Sequence, residues 1–120
     1  NHIKIIGPVT EKEKWQLMSK SWICVNPSLH EGWGIPVIEG NLFGTPTVSF
    51  NVPGLSESIK DGQTGFLANT EEEFVEKVVL LLKDSSLRAR MSKNAVKWSE
   101  NFDWDKSASQ FLRILQKHVK

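Results

Sequence analysis

The sequence has little cysteine, little excess charge of either sign and no long apolar run. Cys24 is the only cysteine, so no internal disulfide can form and a reducing, cytoplasmic location is expected. With 15 basic and 14 acidic residues the formal net charge is +1, which argues against nucleic acid as a partner. No apolar run approaches the roughly 18 residues of a membrane span, and no signal peptide opens the chain. The remaining composition is typical of a soluble globular domain.

The chain is long enough for one domain with a hydrophobic core. Its 120 residues lie at the small end of the usual range. The opening stretch NHIKIIGPV has no initiator methionine and reads directly as a strand, so we expect a piece of a longer protein. No internal repeat or low-complexity stretch is present, and residues 1–120 are therefore expected to belong to a single domain.

Local patterns predict alternating strands and helices. Thr10 and Glu13 have capping-box spacing, and Trp15, Met18 and Trp22 follow at helical intervals. The predicted elements, in chain order, are a strand at 3–6, a helix at about 11–21, a strand at 22–28, a helix at 35–44, a strand at 45–52, a helical turn at 53–59, a turn and strand at 61–69, and helices at 70–84, 85–102 and 103–120. This order predicts an α/β fold, with a three-layer, Rossmann-like parallel sheet and flanking helices.

The segment LHEGWGIPVIEG, residues 29–40, joins a predicted strand to a predicted helix. In open parallel sheets, ligands bind where the carboxyl ends of the strands lead into helix N-termini. A helix N-terminus presents unpaired N–H groups and a partial positive charge, which suit phosphate. Gly32 and Gly34 allow the backbone to approach a ligand closely, and Pro36 fits the first helical turn.

Two carboxylates flank this helix start. Glu31 lies in the loop, while Glu39 lies one turn inside the helix, where side chains lean back toward the N-terminus. A carboxylate repels phosphate but accepts hydrogen bonds from hydroxyl groups, such as the pair on a ribose. The predicted ligand has phosphate between hydroxyl-bearing groups, as in a nucleotide sugar. Either glutamate alone is explained more simply as a helix or turn residue, and only the combination with Gly-x-Gly-x-Pro favours function.

The stretch PSLHEGWGIPVIEGNLFGTPTV resembles the glutamate–seven residues–glutamate motif of family 4 glycosyltransferases, which are retaining enzymes with the GT-B fold. The flanking stretches HIKIIGPVTEKEKWQLMSKSWICVNPS, GLSESIKDGQTGFLAN and FDWDKSASQFLRIL are also similar to that family. Trp33 stands where the family usually has Phe, and Gly40 stands where it usually has Ala, at a cost of roughly 1 kcal/mol in mid-helix.

The resemblance implies a role for each motif residue. Glu31, as the catalytic residue, would contact the donor sugar, and Glu39 would hold the ribose hydroxyls. The backbone N–H groups facing the diphosphate or sugar would be those around Gly32, Trp33, Gly34 and Ile35. The resemblance implies no metal and no other cofactor, because helix dipoles and basic side chains neutralise the leaving diphosphate.

The resemblance also implies a function for the whole protein. This is transfer of a hexosyl group from a UDP- or GDP-sugar to a saccharide or lipid-linked acceptor, as in polysaccharide biosynthesis. Residues 1–120 would be about half of the C-terminal, nucleotide-sugar-binding domain of the GT-B fold. The acceptor would bind a missing N-terminal domain, so the fragment alone is expected to be inactive. Peripheral association with the inner membrane face is a further hypothesis.

Three other functional classes are open at this point. One, a sugar-nucleotide epimerase of GT-B architecture, is possible on fold grounds, although its motif would differ. A non-catalytic nucleotide-sugar-binding or interaction module would most readily lose one motif carboxylate, and both are present. A dinucleotide oxidoreductase would need Gly-x-Gly-x-x-Gly after the first strand, which IIGPVTEKE lacks. Outside the motif, His30 is expected on a loop surface, and Lys14 is expected to need no partner. Four tryptophans are expected to pack at helical or hinge positions: Trp15, Trp22, Trp98 and Trp104.

Overall fold

The structure, a computed structural model, describes residues 2–119. These residues form three strands and six helices, and each predicted helix is present. The elements are α1 (Glu11–Lys20), β1 (Cys24–Asn26), α2 (Ile35–Leu42), β2 (Thr47–Phe50), α3 (Leu55–Ser58), β3 (Gly65–Ala68), α4 (Glu71–Lys83), α5 (Ser85–Ser99) and α6 (Trp104–His118).

The three strands form one parallel sheet in the order β1-β2-β3. Val25 of β1 lies opposite Val48 of β2, which in turn lies opposite Phe66 of β3. Each connection between paired strands contains a helix, α2 and then α3, because parallel neighbours require a crossover. The strands therefore all end at one edge of the sheet, where the loops into α2 and α3 begin.

Helices cover both faces of this sheet. The core on one face, beneath α4 and α5, consists of Val48, Phe66, Leu81 and Met91. The core on the other face, beneath α2 and α3, consists of Val37, Leu55 and Ile59, with Val52 and Leu67 packed against it. Phe66 and Leu67 are consecutive on β3 and serve opposite faces, as strand geometry requires. The predicted α/β fold with three layers is confirmed.

The local helix signals are confirmed at the start of α1 and the end of α2. Thr10 Oγ1 accepts a hydrogen bond from the Glu13 N–H at 3.2 Å, and Glu13 Oε2 accepts one from the Thr10 N–H at 2.8 Å. These bonds with Thr10 lower the pKa of the Glu13 carboxyl. Gly44, just beyond α2, has φ +72°, which is the left-handed conformation typical of a residue after a helix.

The predicted strand at residues 3–6 is wrong. Ile3, Ile5 and Ile6 are all exposed, Ile5 to 97%, and they join no strand of residues 2–119. β-branched side chains favour extended backbone, but a strand also needs a neighbour that bonds its N–H and C=O groups. Residues 3–6 have no such neighbour in the part of the chain that the structure describes, and they have no regular secondary structure.

The packing prediction for the tryptophans is wrong for Trp104 and only partly right for the others. Trp104 begins α6 and is 87% exposed, and no residue of α6 is buried. Trp15 and Trp22 are also exposed, to 46% and 61%, although the Arg88 guanidinium lies over the Trp22 ring at 4.2 Å. Trp98 is half-buried and packs as predicted. The helical period predicts α6 correctly, but it does not show what covers the apolar side of that helix.

The exposed α6 is reflected in the dimensions of the molecule. The radius of gyration is 16.1 Å, whereas a compact domain of this length has about 14 Å. Within residues 2–119, no helix has both the length and the hydropathy that crossing a bilayer requires.

Candidate functional site

The start of α2 lies at the carboxyl edge of the sheet and has no side-chain cap. β1 ends at Asn26, whose Oδ1 accepts a hydrogen bond from the Ser28 N–H at 3.1 Å and so turns the chain into the loop. Gly34 is the N-cap of α2, with φ +79° and no side chain to accept from the first turn. Pro36 has no N–H of its own. The helix therefore begins with a backbone donor, at Ile35, that no described side chain caps.

Glycine is required at two positions around this loop. A Cβ on Gly34 would lie 2.6 Å from Leu55 Cδ2. A Cβ on Gly54, which has φ +87°, would lie 2.6 Å from the Glu31 carbonyl oxygen and 2.7 Å from that of Gly32. The loop before α3 thus presses against the backbone of the loop before α2. This contact gives the GLSES segment a structural role that the sequence did not reveal.

Gly32 differs from these two glycines. It is exposed, its φ is not in the left-handed region, and a Cβ built on it would meet nothing within 4 Å. Neither strain nor packing explains a glycine at this position. The residue leaves the backbone next to Glu31 open to an approaching group.

Trp33 packs on a short aromatic series and is held in place by it. Its ring meets the Phe102 ring edge-on with centroids 4.8 Å apart, and Phe102 meets Trp98 in the same way at 4.8 Å. Trp98 Nε1 donates a hydrogen bond to the Ser58 carbonyl at 2.8 Å, and the Lys60 ammonium lies 4.4 Å from the centre of the Trp98 ring. The loop before α2 is therefore anchored to the junction of α5 and α6.

Glu39 forms an ion pair with Lys14 that its sequence position did not predict. Its side chain is 24% exposed, and its Oε1 lies 3.2 Å from Lys14 Nζ. Lys14 Nζ also lies 3.1 Å from Glu11 Oε1. Its hydrogen bond to Glu11 and, to a smaller extent, its hydrogen bond to Glu39 raise the pKa of the Lys14 ammonium. The expectation that Lys14 needs no partner is wrong, because the partner lies 25 positions away on another helix.

The predicted site residues are divided between two neighbouring cavities. The large cavity, of about 690 Å³, is lined on the α2 side by Trp33, Ile35 and Glu39. The small cavity, of about 340 Å³, is lined by Glu31 and Gly32 together with Leu29, His30 and Pro53. Gly34 is buried and lines neither cavity.

Both carboxylates are half-buried and border a cavity, and His30 is exposed as expected. Six further residues of the large cavity were not predicted as site residues. Two belong to α2, Ile38 and Leu42, and four come from the stretch that leads into and begins α6: Phe102, Asp103, Trp104 and Ser107. The FDW stretch, residues 102–104, can be read from the sequence. Its position next to α2 depends on tertiary packing and could not be predicted. Among residues 2–119, no lysine or arginine lines either cavity. Residues 2–119 contain no group of three or more His, Cys, Asp or Glu residues that could hold a metal ion.

The fold and this geometry define an α/β protein with an open helix start, flanked by two glutamates, at the carboxyl edge of a parallel sheet. The chain belongs to the glycosyl transferases group 1 family, whose model matches residues 1–98. Family membership removes the dinucleotide-oxidoreductase alternative.

Among curated proteins, the chain is similar to an uncharacterised glycosyltransferase of Methanocaldococcus jannaschii, with 32% identity over 97% of this chain and 34% of the relative. It is also 34% identical to the D-inositol 3-phosphate glycosyltransferase of Streptomyces avermitilis, over 89% of this chain and 24% of that protein. The chain therefore spans between about a quarter and a third of these relatives.

Among solved structures, the chain is similar to GT-B glycosyltransferases. Anabaena HepE in complex with UDP and glucose matches with a TM-score of 0.86 and 25% identity, over 98% of this chain and 32% of HepE. Sucrose-phosphate synthase from Thermosynechococcus elongatus matches with a TM-score of 0.85 and 23% identity, over 95% of this chain and 29% of that one. The second likeness shows the fold alone.

Proposed function

We propose that this chain forms part of the donor site of a glycosyltransferase that moves a hexosyl group from a UDP- or GDP-sugar to a saccharide or lipid-linked acceptor with retention. Residues 1–120 then belong to the C-terminal, nucleotide-sugar-binding domain. The acceptor binds another domain of the same protein, and the isolated piece is inactive. Family membership and HepE, a similar protein whose structures contain UDP, glucose and UDP-glucose, support this assignment.

The observation that carries the proposal is the uncapped start of α2 with a half-buried carboxylate on each side. The open backbone N–H groups and the helix dipole receive the negative charge of the diphosphate. The backbone around Gly32, Trp33, Gly34 and Ile35 forms this seat. No metal is required in this arrangement, because the positive charge comes from the helix end and from basic residues that lie outside the two cavities.

The two glutamates divide the rest of the donor between them. Glu39 borders the large cavity and accepts hydrogen bonds from the two ribose hydroxyls, since a carboxylate is a strong acceptor for paired O–H groups. Glu31 borders the small cavity and contacts the transferred sugar, where it is the catalytic residue. The diphosphate lies between them, at the N-terminal start of α2.

The test is Glu39→Gln in the complete gene product that contains this chain, titrated calorimetrically with UDP and with GDP. A hydrogen bond to a charged group contributes about 1.5–3 kcal/mol, so we expect the better-bound nucleotide to lose about tenfold to a hundredfold in affinity. Glu72→Gln, on the exposed first turn of α4, is the matched control and should bind like the unmodified protein. Failure of the unmodified protein to bind either nucleotide, or unchanged binding by Glu39→Gln, would contradict the proposal.

A further inference from the structure

Lys14 lies behind the Glu39 carboxylate as seen from the large cavity. It is on α1, which packs against α2, and its Nζ contacts Glu39 Oε1 at 3.2 Å. Glu39 lines the large cavity and Lys14 does not. The carboxylate therefore has a cation on one side and open space on the other.

The two residues of this ion pair differ in the number of partners they have. Within the described part of the chain, Glu39 relies on Lys14 alone, whereas Lys14 is also paired with another carboxylate. Lys14 has a second carboxylate partner, Glu11, whose side chain is 69% exposed. Glu39 is only 24% exposed, and among residues 2–119 Lys14 is the one side chain that donates a hydrogen bond to it. A partly desolvated carboxylate without a partner is unfavourable, whereas an ammonium group close to the surface is readily solvated.

The hydrogen bond uses one carboxylate oxygen and leaves the other available. Lys14 donates to Oε1, and no side chain of residues 2–119 donates to Oε2. A carboxylate fixed through one oxygen has its rotamer set before a ligand arrives, so less conformational entropy is lost on binding. The positive charge also offsets the repulsion between Glu39 and an anionic ligand.

We propose that Lys14 is a positioning residue of the donor site, which holds Glu39 by Oε1 so that the carboxylate meets the two hydroxyls of the donor ribose. The inference rests on the proposed function, because it assigns Lys14 a role through Glu39. Lys14 itself touches no part of the donor. Glu11 holds Lys14 from the solvent side and is expendable, since Glu39 alone suffices as a partner.

A double-mutant cycle for nucleotide affinity tests this assignment in the complete gene product. The variants are Lys14→Met, Glu39→Gln and the two together, each titrated with UDP or GDP, whichever the unmodified protein binds more tightly. Coupled neighbours interact measurably, and we expect Lys14→Met to weaken binding about fivefold to twentyfold. In the Glu39→Gln background, the same change should have no further effect, because the group that Lys14 positions is already altered.

Two control variants distinguish the positioning of Glu39 from a general effect of positive charge on nucleotide affinity, and melting temperatures exclude an effect of lost stability. Lys14→Arg keeps a cation and should restore affinity to within about threefold, since arginine also pairs well with carboxylates. Lys12→Met removes an exposed lysine of the same helix that forms no ion pair within residues 2–119, and it should leave affinity unchanged. Melting temperatures identify any variant that loses affinity through unfolding.

The outcomes distinguish the two proposals. If the affinity losses of Lys14→Met and Glu39→Gln add in the double variant, Lys14 contacts the nucleotide directly. If a folded Lys14→Met variant keeps its affinity, Lys14 has no role in binding. Either result overturns the inference. Unchanged affinity in Glu39→Gln would instead overturn the proposed function. A loss in Lys14→Met that disappears in the Glu39→Gln background would support both.

Discussion

Glu31 and Glu39 flank the same helix start, but the chain holds them in different ways. Glu39 lies on α2 and is fixed by a side chain from α1, at the edge of a cavity with aromatic and aliphatic walls. Glu31 lies in the preceding loop, forms no ion pair within residues 2–119, and is supported through its backbone, which Gly54 contacts closely. One carboxylate is thus positioned by a charge and the other by loop packing. Substitutions in the two supports should therefore have separate effects.

The largest effect is expected at the backbone support of Glu31. In Gly54→Ala the new Cβ would meet two carbonyl oxygens, at 2.6 and 2.7 Å, and the residue has φ +87° and ψ −59°. Strain together with overpacking should lower the free energy of unfolding by about 2–4 kcal/mol, as measured by urea denaturation.

Gly62→Ala is the control for the backbone strain alone. Gly62 has φ +77°, but a Cβ there would meet nothing within 4 Å, so only about 1–2 kcal/mol should be lost. Equal losses in the two variants would mean that the two loops are not in close contact, and the proposed support of Glu31 would then be wrong.

The next effect concerns the aromatic series that anchors the loop. Phe102→Ala removes the edge contacts to both Trp33 and Trp98, and half-buried packing of this kind should contribute about 2 kcal/mol to the free energy of unfolding. Phe111→Ala, on the exposed face of α6, should change that free energy by less than about 0.5 kcal/mol. Similar losses at both positions would show that the apolar face of α6 is buried in solution.

The smallest effect is a gain in stability from a substitution in α2, next to Glu39. A Cβ on Gly40 would meet the Thr45 carbonyl oxygen at 3.4 Å and Cys24 Sγ at 3.5 Å, which are ordinary contacts. Gly40→Ala should therefore raise the free energy of unfolding by about 0.5–1 kcal/mol, because alanine loses less backbone entropy in a helix. Nucleotide affinity should not change, since the adjacent Glu39 keeps its pair with Lys14. A loss of stability in thermal denaturation would show that α2 packs too tightly on β1 for a methyl group.

Features that depend on a few neighbouring residues were predictable from the sequence. The capping box of Thr10 and Glu13 and the glycine after α2 marked the helix ends, and the order of elements predicted the parallel sheet. The motif also placed Glu31 and Glu39 on either side of a helix start. Each of these features depends on residues that are close together in the sequence, so the sequence alone was enough to predict it.

Features that depend on what lies next to a residue in space were not predictable. Ile3, Ile5 and Ile6 have strand propensity, but residues 2–119 place no strand beside them. Trp104 has helical spacing, but no layer formed by those residues covers it. The Lys14–Glu39 pair joins two helices, and its residues are 25 positions apart in the sequence. No sequence pattern therefore predicts that they are partners. Tertiary packing determined each of these outcomes.

The central claim is that the two glutamates contact different parts of one nucleotide sugar. Its most direct test is to measure the affinities of Glu31→Gln and Glu39→Gln, in the complete gene product, for a nucleotide and for its sugar conjugate, UDP with UDP-glucose or GDP with GDP-mannose. We expect Glu39→Gln to weaken nucleotide and conjugate by the same factor, and Glu31→Gln to weaken only the conjugate. Equal effects of both variants on the free nucleotide, or no effect of either, would contradict the account.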